Sequence, residues 1–178
     1  MLTIPRQIER TPEPFLALRT LVSMAGMPHV LPGRIRYLFD RLRDEGMAPA
    51  GPLTFRYNVV DMERELEIDI GVPIAAAVEA PADFVRSIIP GGRYLSITYV
   101  GPYDTGPTDH GEPDGLYGAN GVLIGWARDN GIAFDEAPSP RGDVFASRLE
   151  IYRIDMSTEP DPAKWETEVA IRLSDAAG

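Results

Sequence analysis

RYLSITYVGPYD, from Arg93 to Asp104, decides the fold, because it restarts an order of elements already run through once nearer the amino terminus. It reads as a β-rich strand ending in a Gly-Pro turn, and GLYGANGVLIGWARDNG beyond it carries a helical pattern that stops at Gly131. After a Pro138/Pro140/Gly142 turn, FASRLEIYRID (Phe145 to Asp155) and, past the loop STEPDPAK, WETEVAIRLS (Trp165 to Ser174) form a strand pair. The first half runs the same way. FLALRTLVSMAG (Phe15 to Gly26) reads as a strand followed by a Pro28/Pro32/Gly33 loop. Ile35, Leu38, Phe39 and Leu42 then fall at i, i+3, i+4 and i+7 of an amphipathic helix capped at Gly46. LTFRYNVV (Leu53 to Val60) and ELEIDIGVPI (Glu65 to Ile74) follow as hairpin-connected strands. The best correspondences are FLALRTLVSMAG with YLSITYVGPYD, LTFRYNV with LEIYRID, and RELEIDIGVPI with WETEVAIRLSD. The expectation is one α+β domain over residues 1–178, a tandem βαββ repeat with pseudo-two-fold symmetry, its halves at about 2–79 and 82–176. Its antiparallel sheets carry helices on one face, and a ligand cleft lies between the halves on the sheet face that the helices leave free.

Composition narrows the chemistry. The 178 residues are 44% hydrophobic and 25% charged, enough to bury a core. The absence of cysteine excludes disulfides, zinc-thiolate sites, iron-sulfur clusters and thiol nucleophiles. Two histidines are too few for a histidine-rich metal site. A formal charge of -10, from 27 acidic against 17 basic side chains, repels nucleic acid and anionic membranes on average. No apolar run approaches the roughly 18 residues of a membrane span, and the opening MLTIPRQIERTPEP is no targeting peptide. The chain reads as soluble and cytoplasmic, without cofactor or metal, and with neither nucleic acid nor membrane as partner.

Glu150 stands out because it lies inside the apolar strand SRLEIYRI, on the same face as Tyr152 by period-two alternation. The ordinary reading of such a residue is a solvent-facing carboxylate, since a buried Glu costs several kcal/mol unless paired. The repeat argues otherwise: Thr54, or a residue close to it, holds the matching place in the first half, so the carboxylate is peculiar to one half and suits an off-axis position in a shared cleft. Trp126 and Phe39 read as packing residues of their helices. Tyrosines on strands differ, because a buried phenol needs a hydrogen-bond partner and suits a site with one apolar and one wet end. An aromatic cleft with one carboxylate fits a lipophilic cation, and a desolvated Glu also fits general-base chemistry toward water.

Other patterns are weaker. GPYDTGPTDHGEPDGLYGANG has no Walker lysine, so it is not read as a phosphate cradle. Asp104, Asp109, His110, Glu112 and Asp114 read as a solvated acidic loop rather than a cation site, His29 and His110 as surface loop residues, and Ser139 and Ser147 as lacking a catalytic triad.

The pattern GGRYLSITYVGPYD, a helix with GWARDNGI, then SRLEIYRIDMSTEPDPAKWETEVAIRL closely resembles the GyrI-like small-molecule-binding family, found alone and as the effector-binding domain of AraC- and MerR-type regulators. Arg93 to Leu173 carries most of the likeness. The resemblance implies a cleft between the repeats, with the acidic residue of the LEIY strand at its base meeting cationic or polar drugs. That role falls on Glu150, with Tyr152 beside it and Trp165 as lining; Phe15, Phe55, Tyr57, Tyr99 and Tyr103 are candidates for the remaining wall. An ion pair from Arg148 or Arg172 to Glu150 would defeat the assignment. The sequence departs from the family pattern in an apparent insertion, TGPTDHGEP over residues 105–113, and in Met156 where Pro is frequent. No helix-turn-helix is read before Phe15 or after Ser174, so the expectation is a stand-alone ligand-binding protein with no DNA-binding domain. Two alternatives follow from relatives: hydrolysis of reactive cyclopropane-bearing compounds with Glu150 activating water, and a gyrase-inhibitor-like role with a protein partner.

Overall fold

The computed structural model describes residues 1–75, 79–103 and 115–175. Its elements run β1 (Arg6–Arg10), β2 (Glu13–Val22), α1 (Met27–Asp44), β3 (Thr54–Val60), β4 (Leu66–Pro73), β5 (Val85–Ile89), β6 (Gly92–Val100), α2 (Gly115–Asp129), β7 (Glu136–Ser139), β8 (Gly142–Phe145), β9 (Arg148–Ile154) and β10 (Glu166–Arg172). One antiparallel sheet takes the order β1-β6-β10-β9-β3-β4-β2-β5, with the β7–β8 hairpin attached to β3. The order is an α+β tandem repeat: β2-β4-β3 and β6-β10-β9 are equivalent triplets that meet at the β3–β9 seam. The outer strands are exchanged. β1 precedes the first repeat yet pairs with β6 of the second, and β5 precedes the second yet pairs with β2 of the first. These two short edge strands are absent from the sequence reading, since neither RQIER nor VRSII has a long apolar alternation.

Two apolar layers hold the sheet. Under the helices lie Leu16, Leu18, Ile68, Ile70, Leu95, Ile97, Val169 and Ile171, meeting Leu38 and Leu42 of α1 and Leu116 and Leu123 of α2. Burying Leu38 and Leu42 contributes about 1.5–3 kcal/mol each, which fixes the inward face of α1. The far face has a smaller cluster of Phe15, Ala17, Ile89, Tyr94, Leu149, Ile151 and Ala170. The sheet curls toward that face into a half-barrel: Arg56 on β3 reaches the Ile88 carbonyl on β5 at 3.1 Å, although β4 and β2 lie between them in the ladder.

Several local expectations are corrected. Pro28, Pro32 and Gly33 belong to α1 rather than to a loop, and His29 lies in its first turn. Pro28 is tolerated there because the first turn's N–H groups lack intrahelical partners in any case. The buried stripe of α1 consequently extends back to Leu31, whereas Phe39 falls beside it and is 38% exposed. Trp126 is likewise 41% exposed, at the margin of an α2 stripe running through Leu116, Ala119, Leu123 and Ala127. The Pro138/Pro140/Gly142 segment is a strand pair with its turn, β7 and β8, and not a turn alone. Gly142 sits at φ +116°, where a Cβ would meet the Val60 carbonyl oxygen at 2.6 Å, so the hairpin closes against β3 only with glycine there. Among the described residues no helix is long and apolar enough to cross a membrane.

Candidate functional site

Period-two alternation on β9 sends Arg148, Glu150 and Tyr152 to one face and Leu149, Ile151 and Arg153 to the other. Across the seam, Phe55 of β3 pairs directly with Glu150, and Tyr57 lies two residues further along the same face. This is the helix-covered face, where Asn120 of α2 donates to Glu150, and not the free face to which the sequence reading assigned the carboxylate's cleft. The helices flank the seam, α1 packing over β2 and β4 and α2 over β6 and β10.

Glu150 is 6% exposed and accepts three hydrogen bonds. Tyr57 Oη donates to Oε2 at 2.8 Å, Tyr152 Oη to the same oxygen at 3.2 Å, and Asn120 Nδ2 to Oε1 at 2.9 Å. Every donor is neutral. Arg148 turns aside to Asn120 Oδ1 at 3.0 Å, and Arg172 pairs with Asp135 and Asp175. Among the described residues, then, Glu150 makes no ion pair. Burial pushes its carboxyl above the ordinary carboxylate range, opposed by the bonds from Tyr57 and Asn120, by the nearby Arg148 charge and by Tyr152. Burial likewise raises the Tyr57 and Tyr152 phenols well above the usual tyrosine value, so both remain protonated donors at neutral pH.

An aromatic run leads away from this carboxylate. Phe55 and Tyr152 meet edge-on at 4.9 Å, Tyr152 and Tyr103 edge-on at 5.2 Å, and Tyr103 lies 4.6 Å from Trp165 between centroids. Trp165 just precedes β10 and donates through its indole to the Glu159 carbonyl at 2.8 Å. The Tyr103 carbonyl accepts from Leu116 N, which ties the start of α2 to the same corner. Tyr99 shares the helix-side face but turns its hydroxyl to the Pro102 carbonyl at 3.0 Å. Phe15 is not brought to this cluster; it belongs to the far-face layer, because its neighbour Leu16 takes the helix side.

The structure adds three residues to those picked from sequence. Asn120 is a buried amide in the apolar stripe of α2, a legible signal. Arg148 shares the face of Glu150 two residues away. Thr167 of β10, in register with Tyr99 on one side and Tyr152 on the other, is 1% exposed, and its hydroxyl has no partner among the described residues. Asp104, Asp109, His110, Glu112 and Asp114, with the whole 105–113 insertion, lie outside the described residues; among those described, no three His, Asp or Glu side chains gather as metal ligands.

A carboxylate between two helices, at the head of an aromatic run on a tandem repeat, is the arrangement against which known proteins are compared. The profile of the GyrI-like small molecule binding domain matches residues 4–174. The chain belongs to that family. A search of curated proteins finds no match. Among solved structures, the EcmrR C-terminal domain superposes with a TM-score of 0.63 at 16% identity, covering 97% of this chain and 98% of that one. The chain spans 57% of the longer EcmrR chain seen in a complex with DNA. SAV2435 bound to tetraphenylphosphonium gives 0.58 at 7% identity, over 97% and 94% of the two chains. A hydrolase from Listeria innocua gives 0.52 at 15%, over 96% and 91%. At these identities the likeness is one of fold. Residues 4–174 of this GyrI-like chain are thus a small-molecule-binding domain, and the exchanged edge strands, the helices and the seam all lie inside the matched region.

Proposed function

We propose that this GyrI-like domain binds lipophilic small molecules, cations in preference to neutral compounds, with Glu150 at the base of the site and Phe55, Tyr57, Tyr99, Tyr103, Tyr152 and Trp165 as its wall. The observation that carries this reading is a carboxylate 6% exposed and, among the described residues, held by neutral donors alone. Such donors satisfy lone pairs without cancelling charge, so the desolvation cost remains partly unrecovered until a cation arrives. The aromatic run supplies ring faces and edges that suit a large, weakly hydrated cation. SAV2435, a neighbour in fold, was solved with tetraphenylphosphonium, which supports that ion as the probe.

Calorimetric titration with tetraphenylphosphonium tests the proposal. Glu150→Gln is expected to weaken binding at least about tenfold, the size of a lost charge-assisted contact, while the affinity for uncharged triphenylphosphine oxide barely changes. Equal affinity of both proteins for the cation overturns it.

The raised carboxyl of Glu150 favours a second reading, in which it takes a proton from water near neutral pH to hydrolyse a reactive, cyclopropane-bearing electrophile. That reading expects product in mass spectrometry, with Glu150→Gln abolishing turnover while binding persists. Binding without product excludes it for the compounds tried.

A further inference from the structure

We infer that Arg148, acting through the Asn120 side-chain amide, sets the charge of the Glu150 carboxylate and with it the preference of the site for cations. The inference deepens the binding reading above and rests on it. Arg148 and Glu150 are i and i+2 on one face of β9, a spacing of about 7 Å along the strand. Between them stands Asn120, whose Oδ1 accepts from the Arg148 guanidinium at 3.0 Å and whose Nδ2 donates to Glu150 at 2.9 Å and to the Leu116 carbonyl at 3.1 Å. The amide's two ends are thereby fixed in opposite senses. Arg148 selects this orientation from the oxygen end, as the Leu116 carbonyl and the carboxylate do from the nitrogen end; with Arg148 gone the amide oxygen loses its charged donor, and the N–H offered to Glu150 is less polarised.

Arg148 is held for this position without being consumed by a carboxylate. Its guanidinium carbon sits 5.7 Å from the Tyr57 ring centroid and 5.2 Å from that of Phe145, and its Nε is buried with no hydrogen-bond partner among the described residues. Rings and one amide oxygen fix the group while leaving its charge largely uncancelled. The groups that face Glu150 among the described residues are Tyr57 from β3, Arg148 and Tyr152 from β9 and Asn120 from α2, with Tyr103 beyond Tyr152. On its other side Arg148 acts on Glu136 of β7, which Asp143 of β8 also influences. Arg148 is thus the cation that favours ionised Glu150, and the positive charge that a cationic ligand meets on arrival. It does not touch the ligand in this scheme; it is a positioning and charge-setting residue.

The test compares the wild-type chain with Arg148→Met, which keeps the apolar stem, Arg148→Lys, which keeps the charge, and Asn120→Ala, which cuts the relay. The carbon-13 carboxyl resonance of Glu150, assigned by its loss in Glu150→Gln, is titrated in each. The midpoint is expected to move upward in Arg148→Met and in Asn120→Ala, and to stay near wild type in Arg148→Lys. Tetraphenylphosphonium affinity should then rise about tenfold in Arg148→Met at pH above the variant's raised midpoint, and fall below wild type only between the wild-type midpoint and that raised one, where Glu150 is ionised in wild type alone. A midpoint unmoved in both Arg148→Met and Asn120→Ala overturns the inference, whether or not the ion binds. So does an equal loss of cation and neutral-ligand affinity with the midpoint fixed, which marks a merely structural role. If the midpoint moves but wild type fails to bind the ion, the binding reading falls while the control of the carboxylate stands.

Discussion

Glu150 and Glu168 sit on adjacent strands, both almost withdrawn from water, and their surroundings are opposite in kind. Glu168 is 8% exposed on the far face, and its Oε1 receives Arg10 at 3.2 Å and Ser96 at 3.0 Å while Arg153 clasps Oε2 at 2.5 Å. Burial pushes that carboxyl up, but Arg153, Arg10 and Ser96 outweigh it and leave it below the ordinary range. Glu150 has three neutral donors and ends above that range. Glu168 thus joins β1, β10 and β9 as part of the scaffold, with its charge already answered. Glu150, among the described residues, meets only neutral donors. Both are glutamates with little solvent contact; Glu150 lies the deeper, and the identity of the donors, neutral in one case and two arginines in the other, sets the two further apart.

Unfolding free energies give the largest test of this contrast. Glu168→Gln strands two arginines, and denaturation in urea should show a loss of about 2–3 kcal/mol, a figure held down because Arg153 is 42% exposed. Glu150→Gln should remain within about 1 kcal/mol of wild type, since an amide replaces a carboxylate among neutral donors. Equal losses from the two substitutions would erase the distinction.

The same pair of proteins sharpens the comparison with pH. Glu150 has a native value above the unfolded one, so its ionisation costs stability as pH rises through the interval between them. Glu150→Gln, which does not titrate, should gain on wild type across that interval and hold the gain at higher pH. Glu168 has the opposite sign: its stabilisation is present above the unfolded carboxylate value and is lost as pH falls through its lowered native value. The deficit of Glu168→Gln should therefore shrink only in acid. Thermal midpoints measured from pH 3 to 8 check both signs, and parallel profiles would contradict the structure.

The smallest expected effect concerns Thr167, whose hydroxyl is buried on the Glu150 side of β10 without a partner among the described residues. Thr167→Val should be neutral or stabilising by up to about 1 kcal/mol, because an unsatisfied group is removed at constant shape. If the same change weakens ligand binding in calorimetry, the hydroxyl is reserved for ligand and Thr167 joins the site; unchanged affinity makes it a packing residue.

The repeat was legible because its signals are local. RYLSITYVGPYD and WETEVAIRLS declare strands by alternation, and the glycines at 46 and 131, both at φ +65°, mark the ends of the two helices. The prolines misled near residue 28, where a first helical turn and a loop accept the same residues. The site was legible in part. Glu150 inside an apolar strand announces itself, as does Tyr152 two residues on, whereas Phe15 carried the same aromatic signal and lies across the sheet. Period two says which residues share a face but not which face a helix covers, and the strands β1 and β5, too short and polar to read, take part in curling that sheet.

By itself the sequence determined the order of elements within the two repeats, the doubling and the presence of one odd carboxylate, since propensity, periodicity and turn chemistry act over a few residues. Only tertiary structure decided what that carboxylate meets. Tyr57 lies 93 positions from Glu150 and Asn120 lies 30 away, and Arg10 reaches Glu168 across 158. Whether a buried charge is answered by an arginine or left among neutral donors depends on these long-range meetings, because electrostatic interaction follows distance in space and not along the chain.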